Sequence, residues 1–214
     1  ICDDNFNALL EKFKIIEKKG YIKSASPNYK NACGLTFEKE LDKKPDGLFF
    51  PDFKDIEIKC KQNTSRYNIK LFSLSFNGPY LYENNYILQT YGISDKDLPG
   101  KNKFYTKLEC SKKISYNNYY FELIIDYDNK MLGINIYDDN NNFIEKRGYI
   151  SFDLLQSRVD VKLKKLALVH AFKKVENNES YFRYYKIDCY KFLGFDNFLK
   201  MIENGYAKTF VTLR

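Results

Sequence analysis

The segment PDFKDIEIKCK, from Pro51 to Lys61, constrains the fold more than any other part of the chain. Its second half alternates apolar and charged residues, and the side chains of a β-strand point to opposite faces with a period of two. The face of this strand that turns to the core carries three residues: Ile56, Ile58 and Cys60. Glu57 and Lys59 therefore project together from the other face.

A second carboxylate precedes this strand by a few residues. Lys54-Asp55 is placed to make a tight turn, so that a strand from Leu48 to Phe53 would run back along the next one. Such a hairpin brings Asp52 beside Glu57 and Lys59. The pattern predicts two carboxylates and one ammonium group converging at one point.

This combination suits the hydrolysis of a phosphodiester. Mg²⁺ prefers a few carboxylate oxygens plus water, so Asp52 and Glu57 are predicted metal ligands, with the carbonyl oxygen of Ile58 completing the shell. Lys59 would position the attacking water or stabilise developing negative charge. Charged alternation is also common on a solvated strand edge, but Pro51-Asp52 ahead of Glu57 completes a PD-(D/E)xK signature.

The bulk composition indicates a folded domain outside the membrane. The chain has 214 residues, 44% of them hydrophobic, and no apolar run reaches the roughly 18 residues that a membrane-spanning helix needs. Its five cysteines form no CxxC pair and are odd in number, which favours reduced thiols in a cytoplasm and argues against a structural zinc site. Ile1 follows neither an initiator Met nor a signal region, as expected if the sequence starts downstream of its natural beginning.

The net charge of +7 is compatible with a polyanionic partner but does not require one. The chain is rich in Lys, Asn, Ile, Tyr and Phe, a mixture that an AT-rich genome also produces. Charge alone leaves both interpretations open.

Periodicity predicts alternating helices and strands with no repeat and no linker. The opening helix places Phe6, Leu9, Leu10, Phe13 and Ile16 on one face, with Asp4 or Asn5 as its N-cap and Gly20 as its stop. The other predicted elements are a helix over 34–41, a turn at 45–47, strands over 56–61, 67–76, 119–126, 131–137 and 143–152, a helix near 152–163, strands over 166–175 and 181–190, a helix over 196–204 and a last strand over 208–214.

Four blocks in order resemble the MvaI/BcnI restriction endonucleases, a family related to the MutH nicking enzymes. They are GYIKS from Gly20, GLTFEKEL from Gly34, PDFKDIEIKCK from Pro51 and KLFSLSF from Lys70. Three C-terminal stretches, LKKLALVHA, YFRYYKIDCYKF and FDNFLKMIENG, look like the closing region of that family.

The resemblance implies a role for each motif residue. Glu38 takes the position of an additional active-site glutamate on a helix, Asp52 and Glu57 those of the metal carboxylates, and Lys59 that of the lysine. It implies a type II restriction endonuclease that uses Mg²⁺ and cuts double-stranded DNA at a short GC-rich site, as a monomer and one strand at a time. Two departures are the turn before Glu57, which lacks the usual glycine, and the end at Arg214, where the family continues into a segment that reads bases.

Base reading needs side chains such as Arg on base edges, whereas lysines contact phosphates. The candidate DNA-binding residues are Arg158, Arg183, Lys208 and Arg214. Two lysine clusters, 101/103/107 and 162/164/165, would follow the phosphates. The single histidine, His170, is expected in a sheet rather than as a catalytic base.

The predicted fold class is α/β: a restriction-endonuclease-like mixed β-sheet core flanked by helices, with an additional β-rich DNA-recognition lobe. We expect one unit over 1–214, with a catalytic core over about 1–80 and parts of 160–214, and a recognition lobe over about 81–160. Two alternatives to a restriction enzyme stay open: a MutH-like repair nickase that needs a partner, and a catalytically silent DNA-binding module. The intact Asp52, Glu57 and Lys59 argue against the silent module, and an adjacent methyltransferase gene would favour restriction.

Overall fold

The computed structural model describes residues 3–26, 31–43, 50–66 and 68–214. It divides into two compact units, one of Ile1–Ser73 with Arg158–Phe192 and the other of Leu74–Ser157 with Leu193–Arg214. Within the described ranges no helix is long and apolar enough to cross a membrane. The predicted turn at 45–47 and the start of the strand predicted from Leu48 lie outside the described residues.

The first unit contains a four-stranded mixed sheet in the order β1-β10-β9-β2. Its strands are β1 (Ile22–Lys23), β2 (Glu57–Gln62), β9 (Lys165–Glu176) and β10 (Glu179–Lys191). β10 is antiparallel to β1 and β9, whereas β2 is parallel to β9 with Glu57 opposite Leu166. The predicted mixed sheet is confirmed.

Two helices, α1 (Asp4–Lys18) and α2 (Ala32–Glu40), supply the apolar groups that cover one face of this sheet. Every third or fourth residue of α1 is buried, which gives the apolar stripe that a helix needs in order to pack on a sheet. The shared core includes Leu9, Phe13, Phe37, Ile56, Ile58, Ala167, Val169, Ala171, Phe182 and Tyr184. The opposite face of the sheet carries charged and polar side chains beside apolar ones: Glu57, Lys59, His170 and Arg183 with Leu166, Leu168 and Phe172.

The second unit is built on two further sheets, in the orders β11-β4-β3 and β5-β6-β7-β8. Their strands are β3 (Ile93–Ser94), β4 (Asn102–Leu108), β5 (Ile114–Tyr116), β6 (Tyr119–Asp126), β7 (Met131–Tyr137), β8 (Phe143–Ser151) and β11 (Thr209–Leu213). The remaining helices are α3 (Glu83–Tyr91), α4 (Phe152–Lys162), which runs across the boundary between the units, and α5 (Phe195–Glu203). This unit is rich in strands, as predicted for the lobe.

Three details of the prediction are wrong. Residues 50–53, the described part of the strand predicted over Leu48–Phe53, form no strand beyond a single bridge between Phe53 and Ile56, because the tight turn leaves no room for a longer ladder. The N-cap of α1 is Asp3 rather than Asp4 or Asn5, because the Asp3 carboxylate accepts the backbone N–H groups of Asn5 and Phe6. Residues 68–76 form no strand, although their side chains alternate. A strand needs a hydrogen-bonded neighbour as well as a period of two, and the described strands offer this segment none.

Candidate active site

Glu57 and Lys59 lie side by side on the polar face of β2. Lys59 Nζ donates to Glu57 Oε1 at 2.5 Å, so the two side chains share a face as the alternation predicted. Glu57 is only 3 % exposed, and a buried carboxylate is stable in its charged form only when it is paired. The pairing places a negative and a positive group together at the edge of the sheet.

Asp52 is held beside β2 by a tight hairpin. Phe53 and Ile56 exchange both backbone hydrogen bonds, at 2.8 and 2.9 Å, and Lys54 takes a positive φ of 52° in the turn between them. The chain thereby doubles back, and Asp52 Oδ2 accepts the backbone N–H of Ile58 at 2.9 Å. The N–H and C=O of one strand residue point to the same side, so the Ile58 carbonyl opens on the Asp52 edge of β2.

Glu38 reaches the same group of charges from α2. Burial raises the pKa of the Glu38 carboxyl, and the negative charges of Asp52 and Glu57 raise it further, while Lys43 and Lys59 oppose this shift. Glu38 is therefore within electrostatic range of the hairpin residues, although it lies 14 positions before Asp52 in the chain.

The position of α2 is set by buried aromatic packing. Tyr184 of β10 donates its hydroxyl to the carbonyl oxygen of Cys33 at 2.8 Å, and its ring lies edge-on to Phe37 with centroids 4.9 Å apart. Both rings are fully buried. This contact fixes the helix that carries Glu38 against the sheet that carries Glu57.

Two lysines that the sequence did not single out for the site complete it. Lys43 Nζ donates to Asp52 Oδ1 at 2.8 Å. Lys162, at the end of α4, donates to Glu57 Oε2 at 3.0 Å and to the carbonyl oxygen of Phe50 at 2.9 Å. The sequence places Lys162 among the lysines predicted to follow DNA phosphates. No local pattern marks either lysine, because each reaches the site through the tertiary fold.

The donor set suits a hard divalent cation. Carboxylate and carbonyl oxygens are the ligands that Mg²⁺ prefers, and it keeps several waters rather than requiring an all-protein cage. Asp52, Glu57 and the Ile58 carbonyl provide that chemistry on one edge of β2. In the described part of the chain, no three His, Cys, Asp or Glu side chains are grouped as a ready-made cage.

The candidate DNA-binding residues are in different environments. Arg183 on β10 is exposed, with its guanidinium 6.0 Å from the centre of the Phe172 ring. Arg158 is half-buried on α4. Lys208 is exposed and lies 3.5 Å from Glu109. Arg214 is ion-paired with Asp95 and Asp97.

Three lysines of the two clusters predicted to follow the phosphates form ion pairs with acidic neighbours. Lys103 and Lys107 are paired with Asp95 and Glu109, and Lys165 is paired with Asp3 and Asp55. His170 lies in β9, as predicted, and its Nε2 is 2.9 Å from Asp188 Oδ2. These side chains already have acidic partners within the fold, which distinguishes them from exposed basic groups that can face a ligand.

The class of the protein follows from comparison with solved structures. The structure of restriction endonuclease MvaI with its cognate DNA substrate matches at a TM-score of 0.88 and 29% identity, covering 99% of this chain and 85% of that one. MvaI in the absence of DNA matches at a TM-score of 0.61 and 27% identity, covering 99% and 84%. The fold is that of a restriction endonuclease.

The family is equally well defined. The family model of the MvaI/BcnI restriction endonucleases matches residues 10–209, and the chain belongs to that family. The resemblance predicted from the four sequence blocks is thereby confirmed. A search of curated proteins finds no match.

Proposed function

We propose that this chain is a Mg²⁺-dependent type II restriction endonuclease that hydrolyses phosphodiester bonds of double-stranded DNA at a short specific site. The observation that carries the proposal is that Asp52 accepts the backbone N–H of Ile58 while Lys59 donates to Glu57, so that two carboxylates and an ammonium group are held at neighbouring residues of β2. The likeness to an MvaI structure with its cognate DNA substrate supports DNA as the ligand.

Asp52, Glu57 and the Ile58 carbonyl would hold the ion. Bound there, Mg²⁺ would neutralise charge on the phosphoryl oxygens and acidify an attacking water. Hydrogen bonds from the Ile58 N–H and from Lys59 Nζ orient the two carboxylates before any substrate arrives. This preorganisation reduces the rearrangement required during the reaction.

Lys59 is the group best placed to act on the substrate. Its ammonium is half-buried beside Glu57 and carries donors that Glu57 Oε1 does not use. We assign these donors to the attacking water or to the phosphoryl oxygen on which negative charge develops. Removal of one such donor typically lowers the rate by on the order of 10²–10³.

Glu38 adds a carboxyl whose pKa is raised by burial and by its acidic neighbours. A carboxyl of this kind takes up a proton at a higher pH than an ordinary glutamate, which suits it to exchange protons with water bound at the site. We assign Glu38 to holding that water. Arg183, Arg158, Lys208 and Arg214 are the proposed DNA contacts, and we propose that the enzyme acts as a monomer.

The decisive experiment incubates the purified chain with unmethylated supercoiled plasmid and Mg²⁺, beside Asp52→Ala and Lys59→Ala. The matched control is Asp42→Asn, which removes an exposed carboxylate that lies near the site residues in sequence. Asp42 has a positive φ of 62°, which asparagine tolerates, so the substitution should not strain the backbone. We expect discrete fragments from the wild type and the control, and none from the two site variants.

The other outcomes separate the alternatives. Cleavage that persists in both site variants would show a contaminating nuclease and remove support for the proposed centre. DNA binding without cleavage by the wild type indicates a silent binding module. Accumulation of nicked circles that become linear only after another protein is added indicates a repair nickase.

A further inference from the structure

Glu57 is held by two lysines that approach from different parts of the chain. Lys59 occupies Oε1 at 2.5 Å and Lys162 occupies Oε2 at 3.0 Å, so both oxygens of this buried carboxylate accept an ammonium donor. Both oxygens of Asp52 are likewise engaged, one by Lys43 and the other by a backbone N–H. The chain thus satisfies the carboxylates by itself.

The formal charges of this cluster balance without an ion. Its members are three carboxylates and three ammonium groups: Glu38, Asp52, Glu57, Lys43, Lys59 and Lys162. A divalent cation brought into a balanced, half-buried cluster is repelled by the ammonium groups, and that repulsion is strong where water is scarce. One ammonium must move away for the cation to bind tightly.

We propose that Lys162 is the displaceable counter-ion of Glu57, which keeps the metal-free site neutral and competes with the divalent ion for the Glu57 carboxylate. This inference rests on the proposed function for the identity of the ion. Lys162 leaves Oε2 when the ion binds, and its ammonium is then available for a DNA phosphate.

Lys162 is better suited to move than Lys59. Lys59 belongs to β2 and projects from the same face two residues after Glu57, so the strand itself keeps the two groups together. Lys162 ends α4 and already donates to the carbonyl oxygen of Phe50 at 2.9 Å. That carbonyl gives the ammonium a partner that it retains when it releases Glu57.

The first test measures Mn²⁺ binding by calorimetry, on the full chain without DNA. Lys162→Met keeps most of the length of the side chain and removes the charge, and Lys164→Met is the control, because Lys164 is exposed and forms no ion pair with a described residue. We expect Lys162→Met to bind Mn²⁺ on the order of tenfold more tightly than the wild type, as for two ligands that oppose one another. Lys164→Met should match the wild type.

A second measurement uses the wild type alone, so it does not depend on the folding of any variant. Lysine acetylation by acetic anhydride, which transfers an acetyl group to the amine and releases acetate, is followed by mass spectrometry with and without Ca²⁺, a hard cation that also takes oxygen ligands. We expect acetylation of Lys162 to rise severalfold with Ca²⁺ while that of Lys164 is unchanged, because an amine released from a carboxylate reacts more readily.

The outcomes distinguish this inference from the proposed function. Asp52→Asn should lose Mn²⁺ binding; if it binds as well as the wild type, the proposed metal centre is wrong and the inference falls with it. If Asp52→Asn loses the ion while Lys162→Met binds Mn²⁺ no more tightly than the wild type, only the inference is overturned. Unchanged Lys162 acetylation in Ca²⁺, or no Mn²⁺ binding by either the wild type or Lys162→Met, also overturns it.

Discussion

Lys162 Nζ lies 3.0 Å from Glu57 Oε2 although 105 positions separate the two residues in the chain. The parallel pairing of β2 with β9 explains this proximity, since the beginnings of parallel strands lie next to each other. Lys162 precedes β9 by three residues, and Asp52 and Phe50 precede β2 by five and seven. The segments that precede β2 and β9 therefore lie close together.

Glu38→Gln should change stability in a pH-dependent way. Because the pKa of Glu38 is raised in the folded state, its ionised form destabilises the fold at neutral pH, and protonation relieves that effect as the pH falls toward the ordinary carboxyl value of about 4.3. We expect Glu38→Gln to melt at a higher temperature than the wild type at neutral pH, with the difference shrinking as the pH is lowered. A lower melting temperature for Glu38→Gln at neutral pH would contradict the argument.

Tyr184 should be important for both stability and cleavage. Tyr184→Phe leaves the Cys33 carbonyl without its donor, at a cost of about 1–3 kcal/mol, whereas Tyr184→Ala also removes a buried ring and should cost about 3–5 kcal/mol. Denaturant unfolding measures both values. Cleavage should fall in Tyr184→Ala at temperatures where it is still folded, because α2 and Glu38 lose their support; full activity there would show that Glu38 is positioned by other contacts.

Arg183→Ala should weaken DNA binding in a salt-dependent manner. Arg183 is exposed on the face of the sheet that carries Glu57 and Lys59, and none of the described carboxylates pairs with it. If it contacts a phosphate, its removal reduces the slope of log K against log salt by about 0.9. Lys14→Ala on α1, which covers the other face, is the control and should leave the slope unchanged; an equal slope for Arg183→Ala would exclude that phosphate contact.

Asp126 should stabilise the second unit above acidic pH. Hydrogen bonds from the Asn129 backbone and side chain, and then from Lys146, lower the pKa of Asp126 to about 2. The stabilisation is complete above the unfolded value of about 3.9 and is lost as the pH falls through the folded value. We expect Asp126→Asn to lose about 1 kcal/mol at neutral pH after solvent screening, and only a small part of that near pH 2, in urea unfolding at several pH values.

Local patterns predicted much of the fold. β6 and β7 lie where alternation placed them, and the period of two put Glu57 and Lys59 on one face, because in both cases the signal is contained within a few residues. Lys43 and Lys162 were missed as site residues since their positions depend on the packing of distant segments. Residues 68–76 alternate as a strand would but form none, because no described strand lies beside them to share backbone hydrogen bonds.

The order of the strands also determines when the enzyme can become active during synthesis. Among the described strands β2 has one hydrogen-bonded neighbour, β9, which is translated much later. At about 5–20 residues per second, the 105 positions between Glu57 and Lys162 take about 5–20 seconds to synthesise. Throughout that interval β2, which carries Glu57, lacks its neighbour in the sheet, so a ribosome-bound fragment cannot assemble the proposed centre and damage the DNA of its own cell.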